Sequence, residues 1–150
     1  MGSIAAIPPF VTSEHQTVTF ASYVKSATAA LFSLVALTQT AFALETKAFD
    51  PAGFKAAQDA GKPVIIDVFA PWCPTCKAQQ KVLESIKDKP ELAGVTVFKV
   101  DYDTQTDALA AFKVNRQSTI IAFKGATETA RATGVTDAGA IEALIGTALK

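Results

Sequence analysis

The sequence predicts an α/β domain of three layers over residues 44–150, a central mixed sheet with helices on both faces. Three observations predict it. Strand-like and helix-like stretches follow one another in the order β-α-β-α-β-α-β-β-α, which implies a sheet flanked by helices. Val64-Ile65-Ile66-Asp67-Val68-Phe69 is apolar on both faces except at Asp67, as suits a covered central strand. Trp72-Cys73-Pro74-Thr75-Cys76 then stands at a strand–helix corner and holds the only two cysteines of the chain.

Taken in order, Leu44 to Phe49 is a short first strand. Asp50-Pro51 opens a helix, with Asp as N-cap and Pro at a position where its missing N–H costs nothing. Gly61 ends that helix by accepting a left-handed conformation. The helix after Cys73 runs to about Asp88, with Ala78, Val82, Leu83 and Ile86 as its expected buried stripe. Val95 to Asp101 is the next strand. Asp107 to Phe112 is a short helix with Ala108, Leu109 and Phe112 inward. Thr119 to Phe123 and Glu128 to Thr133 form a hairpin about Gly125. Thr136 or Asp137 caps a last helix whose apolar face is Ile141, Leu144, Ile145 and Leu149.

Residues 1–43 read differently. Lys25 precedes an apolar run, Ser26 to Leu37, and a small-x-small ending, Ala41-Phe42-Ala43. That is the layout of a secretory signal. The run is shorter than the roughly 20 apolar residues of a spanning helix. Export to the periplasm with cleavage after Ala43 is therefore expected, with an uncleaved anchor facing the periplasm as the alternative. The lead-in before Lys25 is long, and a start nearer Val24 would shorten it. The single histidine, His15, lies in this segment, so residues 44–150 contain none.

Lys plus Arg and Asp plus Glu both number 14. This balance lacks the basic excess of a nucleic-acid binder, and no nucleic-acid partner is expected. Two cysteines are too few for a disulfide scaffold. A structural zinc site usually takes four Cys or His ligands, so no metal or other cofactor is expected in a single chain.

The remaining reading of the cysteines is redox chemistry. Cys73, at the start of a helix, has free N–H groups and the helix dipole to stabilise a thiolate, and is expected to attack a substrate disulfide. Cys76, one turn on, is expected to resolve the mixed disulfide. Pro74 fits the first turn without losing a hydrogen bond. Trp72 is expected either beside the sulfurs, limiting access, or in the core. Asp67 is a lone carboxylate in an apolar strand. Burial should raise its pKa and fit it to take the proton of Cys76. Lys99, on the neighbouring strand, is its expected partner. A purely structural Asp67–Lys99 pair is the alternative.

These residues resemble the thioredoxin family. The matching stretches are Lys62 to Lys77, with Trp-Cys-x-x-Cys and an Asp six residues before the first Cys, then Phe98-Lys99-Val100-Asp101 and Thr119 to Gly125. The resemblance implies the thioredoxin fold. It also implies that Cys73 is the attacking thiol, Cys76 the resolving thiol, and Asp67 and Lys99 the buried acid–base pair. The Pro74-Thr75 dipeptide is similar to that of exported thioredoxins serving cytochrome c maturation. The family places a cis-proline where this chain has Ser118, just before Thr119. Either the Gln117–Ser118 bond stays cis, which without proline costs roughly 2.5–4 kcal/mol, or the loop is rebuilt around a trans bond. Trp72, Pro74, Thr75, Ser118 and Thr119 are thus the expected surroundings of the dithiol.

The leading function is an exported thiol–disulfide oxidoreductase, a reductase of protein disulfides, monomeric and recharged by a membrane electron donor. Its alternatives are a disulfide-donating oxidant or isomerase and, in other classes, a metal- or iron–sulfur-binding dimer or a redox-inert binding module.

Overall fold

The computed structural model describes residues 43–150. The leader read over residues 1–43 lies outside them except for Ala43. Among the described residues no helix is long and apolar enough to cross a membrane.

The strands are β1 (Glu45–Ala48), β2 (Pro63–Phe69), β3 (Thr96–Asp101), β4 (Thr119–Lys124) and β5 (Thr127–Thr133). The helices are α1 (Pro51–Asp59), α2 (Pro74–Ile86), α3 (Thr106–Ala111) and α4 (Ala138–Gly146). Short 3-10 turns cover Pro90–Leu92 and Thr147–Leu149. The strands form one sheet in the order β1-β3-β2-β4-β5. β1 and β2 run parallel to β3, while β4 is antiparallel to both β2 and β5. This is the mixed sheet expected from the order of elements.

Local chemistry sets the ends of the helices. Asp50 Oδ1 accepts the Gly53 N–H at 2.6 Å, and Pro51 takes the first helical position. Gly61, at φ +66°, turns the chain out of α1. Asp137, not Thr136, caps α4 by accepting the Ala140 N–H at 2.8 Å.

β2 is central and buried on both faces, so its alternating residues feed two cores. On one face Ile65, Val97, Ile120 and Ala122 meet Leu83 and Ile86 of α2 and Ile141, Leu144 and Ile145 of α4. On the other, Ile66, Val68, Phe98, Val100 and Ile121 meet residues of α1 and α3. Phe49, Phe54, Phe98, Phe112 and Phe123 interlock there, with centroids as close as 5.2 Å and mostly edge-on. Phe98 is fully buried. Phe98→Ala is therefore expected to cost about 3–5 kcal/mol, read as a lower midpoint in urea unfolding.

Two expected core stripes need correction. Leu149 is 39% exposed while Ala148 is buried. The chain tightens into the 3-10 turn at Thr147, where the 3.6-residue spacing no longer applies. On α2 the buried residues are Cys76, Gln79, Leu83 and Ile86. Ala78 and Val82 are only half-buried.

Candidate active site

β2 ends at Phe69, and the chain crosses Ala70-Pro71-Trp72 before α2 begins at Pro74. Cys73 is the N-cap of α2. Its extended backbone lets Sγ accept the Cys76 N–H at 3.1 Å, so the sulfur occupies the place of a capping oxygen. Pro74 follows at the first helical position, exposed, with Thr75 half-buried behind it. Cys76 projects inward from the first turn. Both thiols are unbonded and buried, Cys73 at 2% exposure and Cys76 at 0%.

The two sulfurs sit in different surroundings. Burial pushes the Cys73 thiol up. That effect is outweighed by hydrogen bonds from the Cys76 thiol, the Ser118 hydroxyl and the N–H groups of Cys76 and Thr75, and the net direction is downward. Cys76 moves the other way, raised by burial and by its hydrogen bond to Cys73. The outer thiol is thus the easier to ionise, and the inner one holds its proton.

Ser118 closes the site from the opposite side. Its Oγ lies 3.1 Å from Cys73 Sγ and 3.2 Å from Cys76 Sγ. With its one proton the hydroxyl can donate to a Cys73 thiolate, beside the Cys76 S–H that points to the same sulfur. No peptide bond among the described residues is cis, so Gln117–Ser118 is trans and the loop is rebuilt. Ser118 has φ +60°, a left-handed conformation uncommon outside glycine. Backbone bonds hold it there: Ser118 N–H donates to Val68 at 2.8 Å, and its carbonyl accepts the Gly134 N–H at 2.8 Å. Proline fits neither this φ nor this donor. Thr119 does not touch the sulfurs through a hydrogen bond. Its hydroxyl is 2.9 Å from both the Arg116 carbonyl and the Thr133 hydroxyl and shapes the loop.

Asp67 is fully buried on the α2 face of β2. Burial pushes its carboxyl up from 3.8 to about 6, against the opposing pull of the Gln80 amide and the Lys99 charge. Its partner is not the expected one. Oδ2 accepts a hydrogen bond from Gln80 Nε2, and Oδ1 has no partner. Lys99 is in register with Asp67 on β3, yet its ammonium lies over the Phe69 ring, 3.7 Å from the centroid. Lys99 thus acts on Asp67 through its charge and not through an ion pair. The reason is desolvation: a half-exposed ammonium over an aromatic face keeps its water, whereas a buried ion pair would lose it.

Of the two expectations for Trp72, the structure excludes core packing. The residue is 56% exposed, and its indole N–H donates to Asp103 Oδ2 at 2.9 Å. Sequence reasoning missed three contributors: Asp103, Gln80 and Gln79. The last is fully buried, with Nε2 donating to the Ser118 carbonyl at 3.1 Å and the Val135 carbonyl at 2.9 Å. A signal for Gln79 was present. If Cys76 points inward, the residue three further on shares its face of the helix.

Among the described residues no three His, Cys, Asp or Glu side chains are grouped so as to hold a metal ion. What the arrangement offers is a dithiol with an easily ionised outer sulfur, a proton-retaining inner sulfur, a bridging hydroxyl, and a buried carboxylate on the adjoining strand.

The comparisons with known proteins agree with this chemistry. The family model described as Thioredoxin matches residues 43–147. The thioredoxin of Chlamydia trachomatis is 38% identical over 82 residues, covering 55% of this chain and 78% of that one. The thioredoxin of Mycoplasma pneumoniae is 41% identical over 71 residues, covering 47% of this chain and 68% of that one. Among solved structures, Trxlp from Edwardsiella tarda EIB202 is 39% identical with a TM-score of 0.65, covering 67% of this chain and 98% of that one. The chain therefore belongs to the thioredoxin family, as a disulfide oxidoreductase with the redox pair Cys73 and Cys76.

Proposed function

We propose that this protein is an exported reductase of protein disulfides, of the kind that serves cytochrome c maturation. The observation that carries the exchange chemistry is Cys73 Sγ at the N-cap of α2, displaced toward ionisation, with Cys76 buried behind it and displaced away, which makes Cys73 the attacking and Cys76 the resolving sulfur. The reducing direction follows the likeness to thioredoxins, whose dithiol lies at the reducing end of the known range. A Cys73 thiolate attacks one sulfur of a substrate disulfide and expels the other as a thiolate, which takes up a proton. Cys76 then gives its proton to Asp67, directly or through water, attacks Cys73 Sγ, and expels the second substrate sulfur as a thiolate that takes up a proton. The substrate gains two electrons, and the protein is left with a Cys73–Cys76 disulfide. An oxidising compartment does not restore the dithiol, so a membrane-bound electron donor is required. Export rests on Lys25, the apolar run to Leu37 and the Ala41-Phe42-Ala43 ending.

The test is a trap. Cys76→Ala expressed from the full chain is expected to retain substrate proteins as mixed disulfides on Cys73 in the periplasmic fraction, released by dithiothreitol and identified by mass spectrometry. Amino-terminal sequencing of the same material should begin at Leu44. A Cys76→Ala protein that captures nothing, or that is found only in the cytoplasm, would sink this reading.

A further inference from the structure

Gln79 is a buried polar side chain that the reaction above does not use. It lies on α2, one turn beyond Cys76, among positions otherwise filled by Leu83 and Ile86. Its orientation is set by chemistry. Nε2 faces two carbonyl oxygens, those of Ser118 and Val135, so turning the amide over would set oxygen against oxygen. The consequence is that Oε1 is buried with no partner. Such an atom costs stability, and an apolar side chain would fill the position without that cost. Packing alone does not account for a glutamine here.

What the amide secures is the segment that carries the bridging hydroxyl. Ser118 immediately precedes β4, and Val135 lies just beyond β5. One Nε2 therefore ties α2 to both ends of the hairpin. Ser118 stands at φ +60°, and its carbonyl takes two donors, the Gly134 N–H and the Gln79 amide. The same residue places Oγ at 3.1 and 3.2 Å from the two sulfurs. A small rotation of this left-handed residue would carry the hydroxyl away from one of them.

We propose that Gln79 is a positioning residue: it fixes the Ser118 turn from the helix that carries the dithiol, and thereby holds the Ser118 hydroxyl between Cys73 and Cys76 and sets the reactivity of Cys73. This rests on the reading of Cys73 as the attacking thiol. Helix and loop then move as one unit, and the hydroxyl stays aligned as the inner sulfur changes its bonding partner. Cys76 is the ionisable side chain that bears on Cys73, and it is left untouched in the variants below.

The experiment measures the pH profile of Cys73 alkylation by iodoacetamide in the reduced protein, with the modified cysteine mapped by mass spectrometry. Ser118→Ala is expected to move the profile upward by about one pH unit, a loss of about tenfold in rate below the midpoint, because a donor to the thiolate is gone. Gln79→Leu is expected to move it in the same direction by a large share of that amount, with the unfolding midpoint little changed, since relief of the unpaired Oε1 offsets the donor lost to Val135. The double variant should lie no higher than Ser118→Ala alone, because Gln79 acts through that hydroxyl. Gln79→Met gives the same reading if the leucine variant folds poorly. An unchanged profile in either Gln79 variant, or shifts that add in full in the double variant, overturns the role of Gln79. First alkylation at Cys76 in the unmutated protein overturns instead the Cys73 reading on which it rests.

Discussion

Cys73→Ser is expected to reduce disulfide turnover to the uncatalysed background, a loss of several orders of magnitude, while Cys76→Ser stops after a single attack. The asymmetry follows from position. Cys73 is the N-cap of α2, with its sulfur receiving the Cys76 N–H and facing the Ser118 hydroxyl. A serine there has no low-lying ionisation and no polarizable nucleophile to offer. Cys76 is fully buried and its thiol is held above the ordinary value. It becomes useful only once Cys73 is engaged, so its loss leaves a stalled mixed disulfide. A single round of insulin reduction by the pre-reduced proteins, with free dithiothreitol removed, separates the two variants, since neither completes the reaction but only Cys76→Ser forms a covalent adduct. Because Cys73 lies below its ordinary value of 9.0, the first attack should reach its plateau at a correspondingly lower pH. Turnover retained by Cys73→Ser would remove the assignment.

Much of this site was legible because its parts obey local rules. Asp50-Pro51 caps α1, a nearly unbroken apolar run becomes the central strand, and a Cys-x-x-Cys after that strand falls at a helix start. Each rule needs only neighbours in sequence. What was not legible depends on contacts across the fold. Gln80 reaches Asp67, 13 positions away, and Gln79 reaches Val135, 56 positions away. The expectation of a Lys99 partner followed from strand register, which was right, but register does not fix where a long side chain ends. At Ser118 the sequence posed two alternatives. The trans, left-handed form is chosen by donors and acceptors on Val68, Gly134 and Gln79, three separate elements of the chain.

Asp67→Asn is expected to stabilise the protein at neutral pH while slowing its resolving step. The carboxyl titrates at 3.8 before folding and at about 6 when buried. The folded state therefore binds the proton more tightly than the unfolded state. The Asp67 contribution is greatest below pH 3.8, declines as pH rises toward 6, and is flat above that, whereas Asp101 and Glu128, held below their ordinary values, contribute in the opposite sense at acid pH. Each pH unit of that interval is worth about 1.4 kcal/mol, so the ionised carboxylate withholds up to about 3 kcal/mol at pH 7. Asparagine carries no charge and keeps an oxygen for the Gln80 amide. It should recover most of that energy above pH 6, recover none of it below pH 4, and lose the sloping segment between. Urea unfolding at pH 4, 5, 6 and 7 measures all three. Function should move the opposite way. Without a carboxylate to receive its proton, Cys76 must ionise unaided from a raised pKa. Release of the mixed disulfide should then slow by about 10²–10⁴-fold, the usual worth of a positioned base. It should also lose its dependence on a group titrating near pH 6. A variant that gains stability yet resolves the mixed disulfide at the original rate and with the original pH profile would show that Asp67 is a structural burden only. The two expected effects have one origin, since the desolvation that weakens the fold around Asp67 also raises the basicity of its carboxylate, the property that the proposed proton transfer uses.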